Sequence, residues 1–228
     1  MQKSELLIPI DKPNTGALRT AVFRELLRRH PCSEERKTLV DLGCGPCIFA
    51  RIAAEAGYQV TAVDGRDERV PDELVGFSFV KSDARSFDIS GFDVVIALGL
   101  MYHLEIRDQL DLLRRVPNSS LAIVDTQVHI AGDVPAEGRA NLSELISEGG
   151  FEGVLYRENR NPMASIGNSH SFIHTPESQV RLFAAAGFKS LQIVIPRYVT
   201  KYGARLWYVG TKEKAQHATT GPSPNGLG

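Results

Sequence analysis

A nine-residue segment combines residues that could bind a ligand with residues that could do redox chemistry. The segment Leu39–Cys47 reads Leu-Val-Asp-Leu-Gly-Cys-Gly-Pro-Cys. An apolar run ends in Asp41, a tight turn follows at Gly43 and Gly45, and an apolar pattern of helical spacing starts directly after it. Glycine carries no Cβ, so the turn lets the backbone approach a ligand, and the first N–H groups of the helix point towards it. Because the segment also ends in two cysteines at a redox spacing, ligand binding and thiol chemistry are both open here.

Two further carboxylates follow predicted strands. Asp64 lies 21 residues after Gly43, where a carboxylate can accept hydrogen bonds from both hydroxyls of a ribose. Asp83 can accept from the exocyclic amine of an adenine, while the N–H of Ala84 donates to a ring nitrogen. Each carboxylate could instead only serve a turn, as Asp64 would with the following Gly65. The glycine turn at this spacing favours the ribose interpretation of Asp64.

The elements that must position these residues alternate between strand and helix. This alternation predicts a mostly parallel sheet that is covered by helices on both faces, with ligands bound beyond the carboxyl ends of the strands. The last two predicted strands are joined by a segment too short for a crossover helix, so they should pair as an antiparallel hairpin. The predicted strands are 38–42, 59–63, 77–80, 92–98, 120–124, 190–195 and 206–210, and the main helices are 46–56, 106–116 and 175–186. The strand ends to consider are Asp41, Asp64, Asp83, Gly99 and Asp125.

The remaining segments complete a single predicted domain over residues 1–212. Residues 127–170 interrupt the alternation, with one predicted helix at 141–147, and such a long connection is often functional. We expect this insertion to recognise the substrate and a helix at about 14–30 to act as a lid. Residues 213–228 are rich in Gly, Pro and Ser and are predicted to be a disordered tail.

Composition excludes several classes of function. The 228-residue chain has a formal net charge of −1, and the insertion is net acidic, which disfavours a nucleic-acid partner. The longest apolar stretch, Val94–Met101, is too short to span a bilayer, and the N-terminus lacks an apolar signal core. Three cysteines form neither a disulfide framework nor a metal site. We therefore predict a cytoplasmic, reduced protein that binds no metal, no nucleic acid and no membrane.

Five motifs in order resemble the class I S-adenosylmethionine-dependent methyltransferases that act on small molecules, over about residues 15–212. The resemblance implies a Rossmann-like α/β fold with a seven-stranded sheet in the order 3-2-1-4-5-7-6, in which strand 7 is antiparallel. This order agrees with the terminal hairpin. The motifs are the acidic residue and glycines of the first turn (Asp41, Gly43, Gly45), Asp64, the pair Asp83-Ala84, the stretch Phe92–Leu104, and the block His174–Ser178 with Ala186-Gly187-Phe188.

The resemblance implies S-adenosyl-L-methionine as the cofactor. Cys47 stands where the family has its third glycine, and we expect its side chain to point into the helix packing and leave cofactor binding intact. The cofactor-binding residues that follow from the resemblance are Asp41, Gly43, Cys44, Gly45, Asp64, Gly65, Arg66, Asp83, Ala84 and Leu98.

Two histidines are candidates for the proton transfer that a hydroxyl acceptor requires. His103 follows the fourth strand, beside the expected position of the methyl group, and is the leading candidate for a base or a substrate-orienting residue. His129 follows the fifth strand at the same edge and is the weaker candidate. Tyr102 could contact substrate or belong to the core, and His170 and His174 could line the substrate pocket or be structural.

The sequence predicts methyl transfer to an oxygen or nitrogen of a small metabolite, and three alternatives stay open. The same fold could be a catalytically silent cofactor-binding or regulatory module. A thiol–disulfide oxidoreductase that uses Cys44 and Cys47 is a second alternative. The sequence Cys44-Gly45-Pro46-Cys47 is identical to the active-site core of thioredoxins, although Gly43 stands where thioredoxins place Trp. An NAD-dependent dehydrogenase would share the glycine turn and Asp64, but Ile48 stands where its third glycine should be.

Overall fold

Five parallel strands form the centre of the main sheet in the computed structural model, which describes residues 15–133, 141–158, 165–195, 199–200 and 203–213. The main sheet runs in the order β3-β2-β1-β4-β5-β11, with β9 antiparallel to β11 at its edge and the short β10 beside the start of β11. This confirms the predicted order and the antiparallel last strand. The strands are β1 (Thr38–Leu42), β2 (Gln59–Asp64), β3 (Phe77–Lys81), β4 (Val94–Leu98), β5 (Leu121–Gln127), β6 (Ile146–Glu148), β7 (Phe151–Arg157), β8 (His170–His174), β9 (Ser190–Val194), β10 (Val199–Thr200) and β11 (Gly203–Thr211).

Helices cover both faces of the main sheet, which explains why β4 and β5 are buried along their whole length. On one face, Val22 and Phe23 pack against the helix that follows the glycine turn, and on the other Leu113 and Phe183 belong to the second core. The side chains of β4 alternate between the two cores because successive strand residues point to opposite faces. The helices are α1 (Thr15–Arg29), α2 (Ile48–Glu55), α3 (Ile106–Arg115) and α4 (Pro176–Ala185).

The ends of α4 match the residues that the sequence places there. Thr175 is the N-cap, and its side-chain oxygen accepts a hydrogen bond from the N–H of Ser178 at 3.2 Å. Pro176 occupies the first helical position, where its missing N–H costs nothing. Gly187 follows the helix with φ of 94°, a conformation that favours glycine. This element is therefore confirmed with its predicted limits.

The insertion contains a second, smaller sheet, and the helix predicted at 141–147 is wrong. β6, β7 and β8 pair antiparallel in that order. Gly149 and Gly150 join β6 to β7 with φ of 58° and 85°. Positive φ at both central residues is the requirement of a tight hairpin turn, so the glycine pair selects two strands over a helix. The predicted tail from residue 214 onwards lies outside the described residues.

Gly153 on β7 gives a direct test of this smaller sheet. A Cβ at this position would lie 2.2 Å from the carbonyl oxygen of Ile173 and 2.6 Å from the ring of Phe172. Gly153→Ala is therefore expected to lower the free energy of unfolding by about 1–3 kcal/mol, measured by urea denaturation. Gly91→Ala is the control, because a Cβ there meets nothing within 4 Å. Equal stability of the two variants would contradict the pairing of β7 with β8.

Candidate active site

A cavity of about 800 Å³ lies at the carboxyl ends of β1, β2 and β4. The glycine turn lines one end, and a single turn of 3₁₀ helix, Met101–His103, lines the other. The first turn of α1 and the segment around Ser165 close its sides. Of the residues predicted for the site, the cavity is lined by Gly43, Cys44, Gly45, Asp64, Gly65, Arg66, Asp83, Ala84, Leu98 and His103.

Positive φ angles shape the turn after β1. Gly43 has φ of 70° and Gly45 of 50°, a region that suits residues without a Cβ. The N–H groups of Gly43 and Cys44 both donate to the carbonyl of Val63, at 2.8 and 3.1 Å, which ties the turn to β2. A Cβ on Gly43 would lie 3.0 Å from the side chain of Leu100. The glycines thus keep the backbone of the turn exposed to the cavity.

Asp64 ends β2 directly beside this turn. Its two carboxylate oxygens accept from the backbone N–H of Gly45 at 2.9 Å and of Arg66 at 3.0 Å. A carboxylate oxygen can accept more than one hydrogen bond, so both oxygens keep capacity for further donors. The backbone therefore fixes the orientation of a carboxylate that can still accept from vicinal hydroxyls.

Asp83 differs from the sequence expectation in its surroundings. Arg85 donates to it through Nε, at 2.9 and 3.0 Å to the two oxygens, and through Nη2 at 2.6 Å. These hydrogen bonds lower the pKa of Asp83. The backbone N–H and the charge of Arg85 lower it further, by smaller amounts. The ion pair takes up most of the acceptor capacity that the sequence assigned to an adenine amine. Ala84 lines the cavity as predicted.

Asp41 lies beneath the cavity rather than in its lining. Its side chain is buried, it accepts from the backbone N–H of Ala50, and Oδ2 has no partner among the described residues. Burial raises the pKa of Asp41 to about 7, against the opposing effects of the Ala50 N–H and the charge of Arg19. The structure therefore does not bring Asp41 into the cavity lining with the other residues predicted to bind the cofactor.

The raised pKa of Asp41 predicts a pH-dependent stability. The folded state holds this proton up to about pH 7, whereas the unfolded chain releases it near the ordinary value of 3.8. The group therefore makes the folded state less stable as pH rises through this window. Asp41→Asn removes the titration, so its free energy of unfolding relative to wild type should increase by about 2–3 kcal/mol between about pH 5 and about pH 8.

Urea denaturation of the cofactor-free protein at both pH values measures this difference. Asp72→Asn is the matched control, because water surrounds that exposed side chain in both states. A constant difference between Asp41→Asn and wild type at the two pH values would contradict a protonated Asp41.

The two thiols of the turn are buried. Cys47 is buried in the core with α2, as predicted, and it is the one non-glycine residue among those described with a positive φ, of 55°. The sulfur atoms of Cys44 and Cys47 lie 3.4 Å apart. Burial raises the pKa of both thiols. Because thiol–disulfide exchange requires a thiolate, this environment opposes the oxidoreductase interpretation.

His103 meets a buried carboxylate that the sequence did not identify as functional. Its Nδ1 lies 3.2 Å from Oε1 of Glu158, which is 4% exposed and follows β7. The N–H of Ser165 lies 3.4 Å from the other oxygen of Glu158, and Nδ2 of Asn168 donates to the backbone carbonyl of His103 at 3.2 Å. The insertion thus supplies a carboxylate that orients His103. No sequence signal separated Glu158 from the other acidic residues of the insertion.

A second group of charged side chains is buried at the same end of the cavity as His103. Asp125, fully buried at the end of β5, accepts from Nε of Arg19 at 2.6 Å and from Nε and Nη2 of Arg205 at 3.0 and 2.7 Å. Burial favours the neutral acid, but the charges of Arg205 and Arg19 outweigh it and lower the pKa of Asp125. Arg205 also donates to the hydroxyl of Tyr102 at 3.2 Å. The sequence identified Asp125 as a strand end but gave no reason to select Arg205.

The other histidines lie away from the cavity lining. His129 donates its backbone N–H to the carbonyl of His174 at 2.8 Å, and burial lowers the pKa of its ring. His174 packs edge-on against Phe151 and Phe172, and burial lowers its pKa to about 3, so it is a neutral core residue. His170 is exposed on β8. His103 is therefore the one histidine of the described residues that lines this cavity.

This arrangement, a Rossmann-like sheet with a glycine turn and a strand-end carboxylate at one cavity, defines a class I S-adenosylmethionine-dependent methyltransferase domain. The chain belongs to the methyltransferase domain family, whose sequence pattern matches residues 16–193. The family match confirms the resemblance seen in the sequence and favours S-adenosylmethionine, the cofactor of this class, over a nicotinamide.

Known proteins agree with this assignment. The ubiquinone biosynthesis O-methyltransferase of Rickettsia conorii is 27% identical over 114 residues, which is 43% of this chain and only 39% of that relative's length. The solved N-terminal domain of EvdMO1 with SAH bound has a TM-score of 0.65 at 18% identity, over 87% of this chain and 84% of that chain. The 1,6-didemethyltoxoflavin-N1-methyltransferase of Burkholderia thailandensis, with bound 1,6-didemethyltoxoflavin and S-adenosylhomocysteine, has a TM-score of 0.58 at 18% identity, over 88% and 80%. The last two similarities concern the fold.

Two features are absent from the described residues. None of their helices combines the length and apolar character needed to cross a membrane. Within the same part of the chain, no group of three or more His, Cys, Asp or Glu side chains is arranged to hold a metal ion.

Proposed function

We propose that this protein transfers the methyl group of S-adenosylmethionine to a hydroxyl oxygen of a small molecule, with His103 as the general base. The observation that carries the proposal is the 3.2 Å contact between Nδ1 of His103 and the buried Glu158 at the wall of the cavity. A nitrogen acceptor would not in general need a base in this position, so the pair favours oxygen over nitrogen.

The cofactor would lie along the glycine turn. The backbone at Gly43 and Gly45 would approach it, and Asp64 would accept from its ribose hydroxyls. When bound, S-adenosylmethionine supplies an already activated methyl group on a sulfonium, so the protein must mainly align the acceptor and exclude water. Gly65, Ala84 and Leu98 line the cavity and would contact the nucleoside.

His103 would take the proton from the acceptor hydroxyl through Nε2. In this mechanism Glu158 would accept from a protonated Nδ1, which would leave Nε2 as the proton acceptor, and its negative charge would stabilise the imidazolium that forms. The buried position of Glu158 keeps water from competing for this contact.

The walls of the cavity suggest where the acceptor is recognised. The first turn of α1 lines the cavity through Gly16, Ala17 and Arg19, in keeping with the proposed lid. Ser165 and Ile166 of the insertion line it from the other side. The volume of about 800 Å³ is in the range of small-molecule pockets. The Rickettsia relative is an O-methyltransferase by name, which supports an oxygen acceptor, although the toxoflavin neighbour is named as an N-methyltransferase.

The proposal is tested by incubating the protein with methyl-labelled S-adenosylmethionine and a panel of phenols, alcohols and amines of similar size. We expect labelled methyl ethers from hydroxyl compounds, identified by mass spectrometry. Methylation of amines alone would contradict the oxygen assignment. Binding of S-adenosylhomocysteine without transfer to any compound would instead favour a silent cofactor-binding module.

A further inference from the structure

Three hydrogen-bonding groups converge on one point of the cavity wall, above Gly99. A Cβ on Gly99 would lie 3.0 Å from Nη2 of Arg19, 3.4 Å from Nη2 of Arg205 and 3.5 Å from the hydroxyl of Tyr102. Gly99 has φ of 96°, so both its backbone and this space require glycine. Gly99, Arg19 and Tyr102 line the cavity. Two cationic groups and a hydroxyl therefore come together at the backbone of Gly99, closer than a side chain at this position would allow.

The charges of this group do not cancel. Arg19 and Arg205 share a single carboxylate, that of Asp125, so the three side chains carry one net positive charge. Asp41 lies near enough to feel the charge of Arg19, but no hydrogen bond joins the two. A positive charge in a buried site is costly unless an anion neutralises it.

Donors remain available to such an anion. Arg19 uses Nε for Asp125 and Nη2 for the carbonyl of Leu98 at 2.8 Å, and no described residue accepts from its Nη1. The Tyr102 hydroxyl accepts from Arg205, which leaves its own proton free to donate. Arg205 is itself nearly buried, with its guanidinium 5.0 Å from the centre of the Tyr102 ring, so it holds this ring in place.

We propose that Arg19 and Tyr102 bind an anionic oxygen group of the methyl acceptor, so that the acceptor class is a small hydroxylated carboxylic acid. This inference rests on the proposed function, because it places the anion relative to the base. The rings of Tyr102 and His103 lie 4.3 Å apart, so a carboxylate held by Tyr102 brings a hydroxyl on the same small molecule to His103. Arg205 is a positioning residue that acts through Tyr102. Asp125 fixes both arginines.

The test uses protein saturated with S-adenosylhomocysteine and measures binding by calorimetry, without turnover. The probes are acetate, benzoate and the three hydroxybenzoate isomers, each compared with its neutral methyl ester. Wild type should bind at least one carboxylate about tenfold more tightly than its ester, and Arg19→Gln should remove that preference. Tyr102→Phe, which deletes one hydroxyl, should weaken the same carboxylate several-fold.

Arg24→Gln is the matched control, because Arg24 lies on the same helix in an exposed pair with Glu55. This variant should bind the carboxylates as wild type does. Thermal unfolding of Arg19→Gln shows whether it folds, and Tyr102→Phe provides a second, milder variant if it does not.

Two results would overturn the proposal. One is equal binding of every carboxylate and its ester to wild type, or no binding of any of them. The other result would show that Arg19 and Tyr102 bind the carboxylate of the cofactor and not that of the acceptor. In that case Arg19→Gln weakens binding of S-adenosylhomocysteine but not of its decarboxylated analogue, and the complex still binds carboxylates more tightly than their esters. Because these experiments need no methyl transfer, their failure is distinguishable from failure of the proposed reaction.

Discussion

His103→Gln is expected to bind S-adenosylhomocysteine with near wild-type affinity but to lower kcat for a hydroxyl acceptor by about 10²- to 10⁴-fold. The reason is that glutamine cannot take the proton that the oxygen must lose. Glu158→Gln should lower kcat by a smaller factor, because the imidazole stays but loses its orienting carboxylate, 3.2 Å from Nδ1. Calorimetry and steady-state kinetics on the acceptor found in the panel measure both effects.

Cofactor binding separates catalysis from simple loss of structure, because kcat of His103→Gln should fall while its affinity for S-adenosylhomocysteine stays near that of wild type. His170→Gln is the control, because this exposed histidine on β8 lies away from the cavity lining. Near wild-type turnover in both His103→Gln and Glu158→Gln would contradict the general-base assignment.

Arg205→Leu is expected to lower the free energy of unfolding by about 3–5 kcal/mol. It leaves the fully buried carboxylate of Asp125 with Arg19 as its remaining partner. Adding Asp125→Asn to this variant should not restore the stability, because Arg19 already balances that carboxylate and would lose its own partner. Urea denaturation of the two variants and wild type gives these differences.

Its control is Arg24→Leu, since the pair with Glu55 is exposed and should contribute within about 1 kcal/mol. The sign of the pH dependence offers a second check. The pKa of Asp125 is lowered in the folded state. Its contribution to the free energy of unfolding is therefore present above the ordinary pKa of 3.8 and is lost as the pH falls below that value. A loss for Arg205→Leu no larger than for Arg24→Leu would contradict a structural role of the buried group.

The strands of the main sheet could be predicted from the sequence because each strand is short, apolar and followed by a polar residue. Asp41, Asp64 and Asp83 each follow an apolar run, and the structure places all three strands side by side. The hairpin of β9 and β11 followed from the length of the segment between them. These are local signals, whereas the order of the strands was implied by the resemblance to class I methyltransferases.

Contacts between distant segments carry no such local signal. Glu158 reaches His103 over 55 positions and Arg205 reaches Asp125 over 80, so neither partner is visible in a short window. The helix predicted at 141–147 was wrong because the Gly149-Gly150 pair outside that window favours a hairpin. The ion pair between Asp83 and Arg85 joins residues only two positions apart, so it could have been predicted from the sequence. The family motif instead assigned Asp83 to ligand binding.

The cysteines show how context changes a motif. Taken alone, Cys44–Cys47 is typical of thiol redox chemistry. Both thiols are buried in the structure. Cys47, which stands where the family has its third glycine, adopts the left-handed backbone conformation, and its side chain packs with α2. The cavity-facing part of the segment is the backbone at Gly43 and Gly45, which is the part that a cofactor needs.

The proposed cofactor site is tested most directly by an amide chemical-shift map of the protein titrated with S-adenosylhomocysteine. We expect saturable binding with the largest changes at Gly43, Gly45, Gly65 and Gly99, which line the cavity at the carboxyl ends of the strands. Changes confined to residues away from this cavity, or no binding, would contradict it.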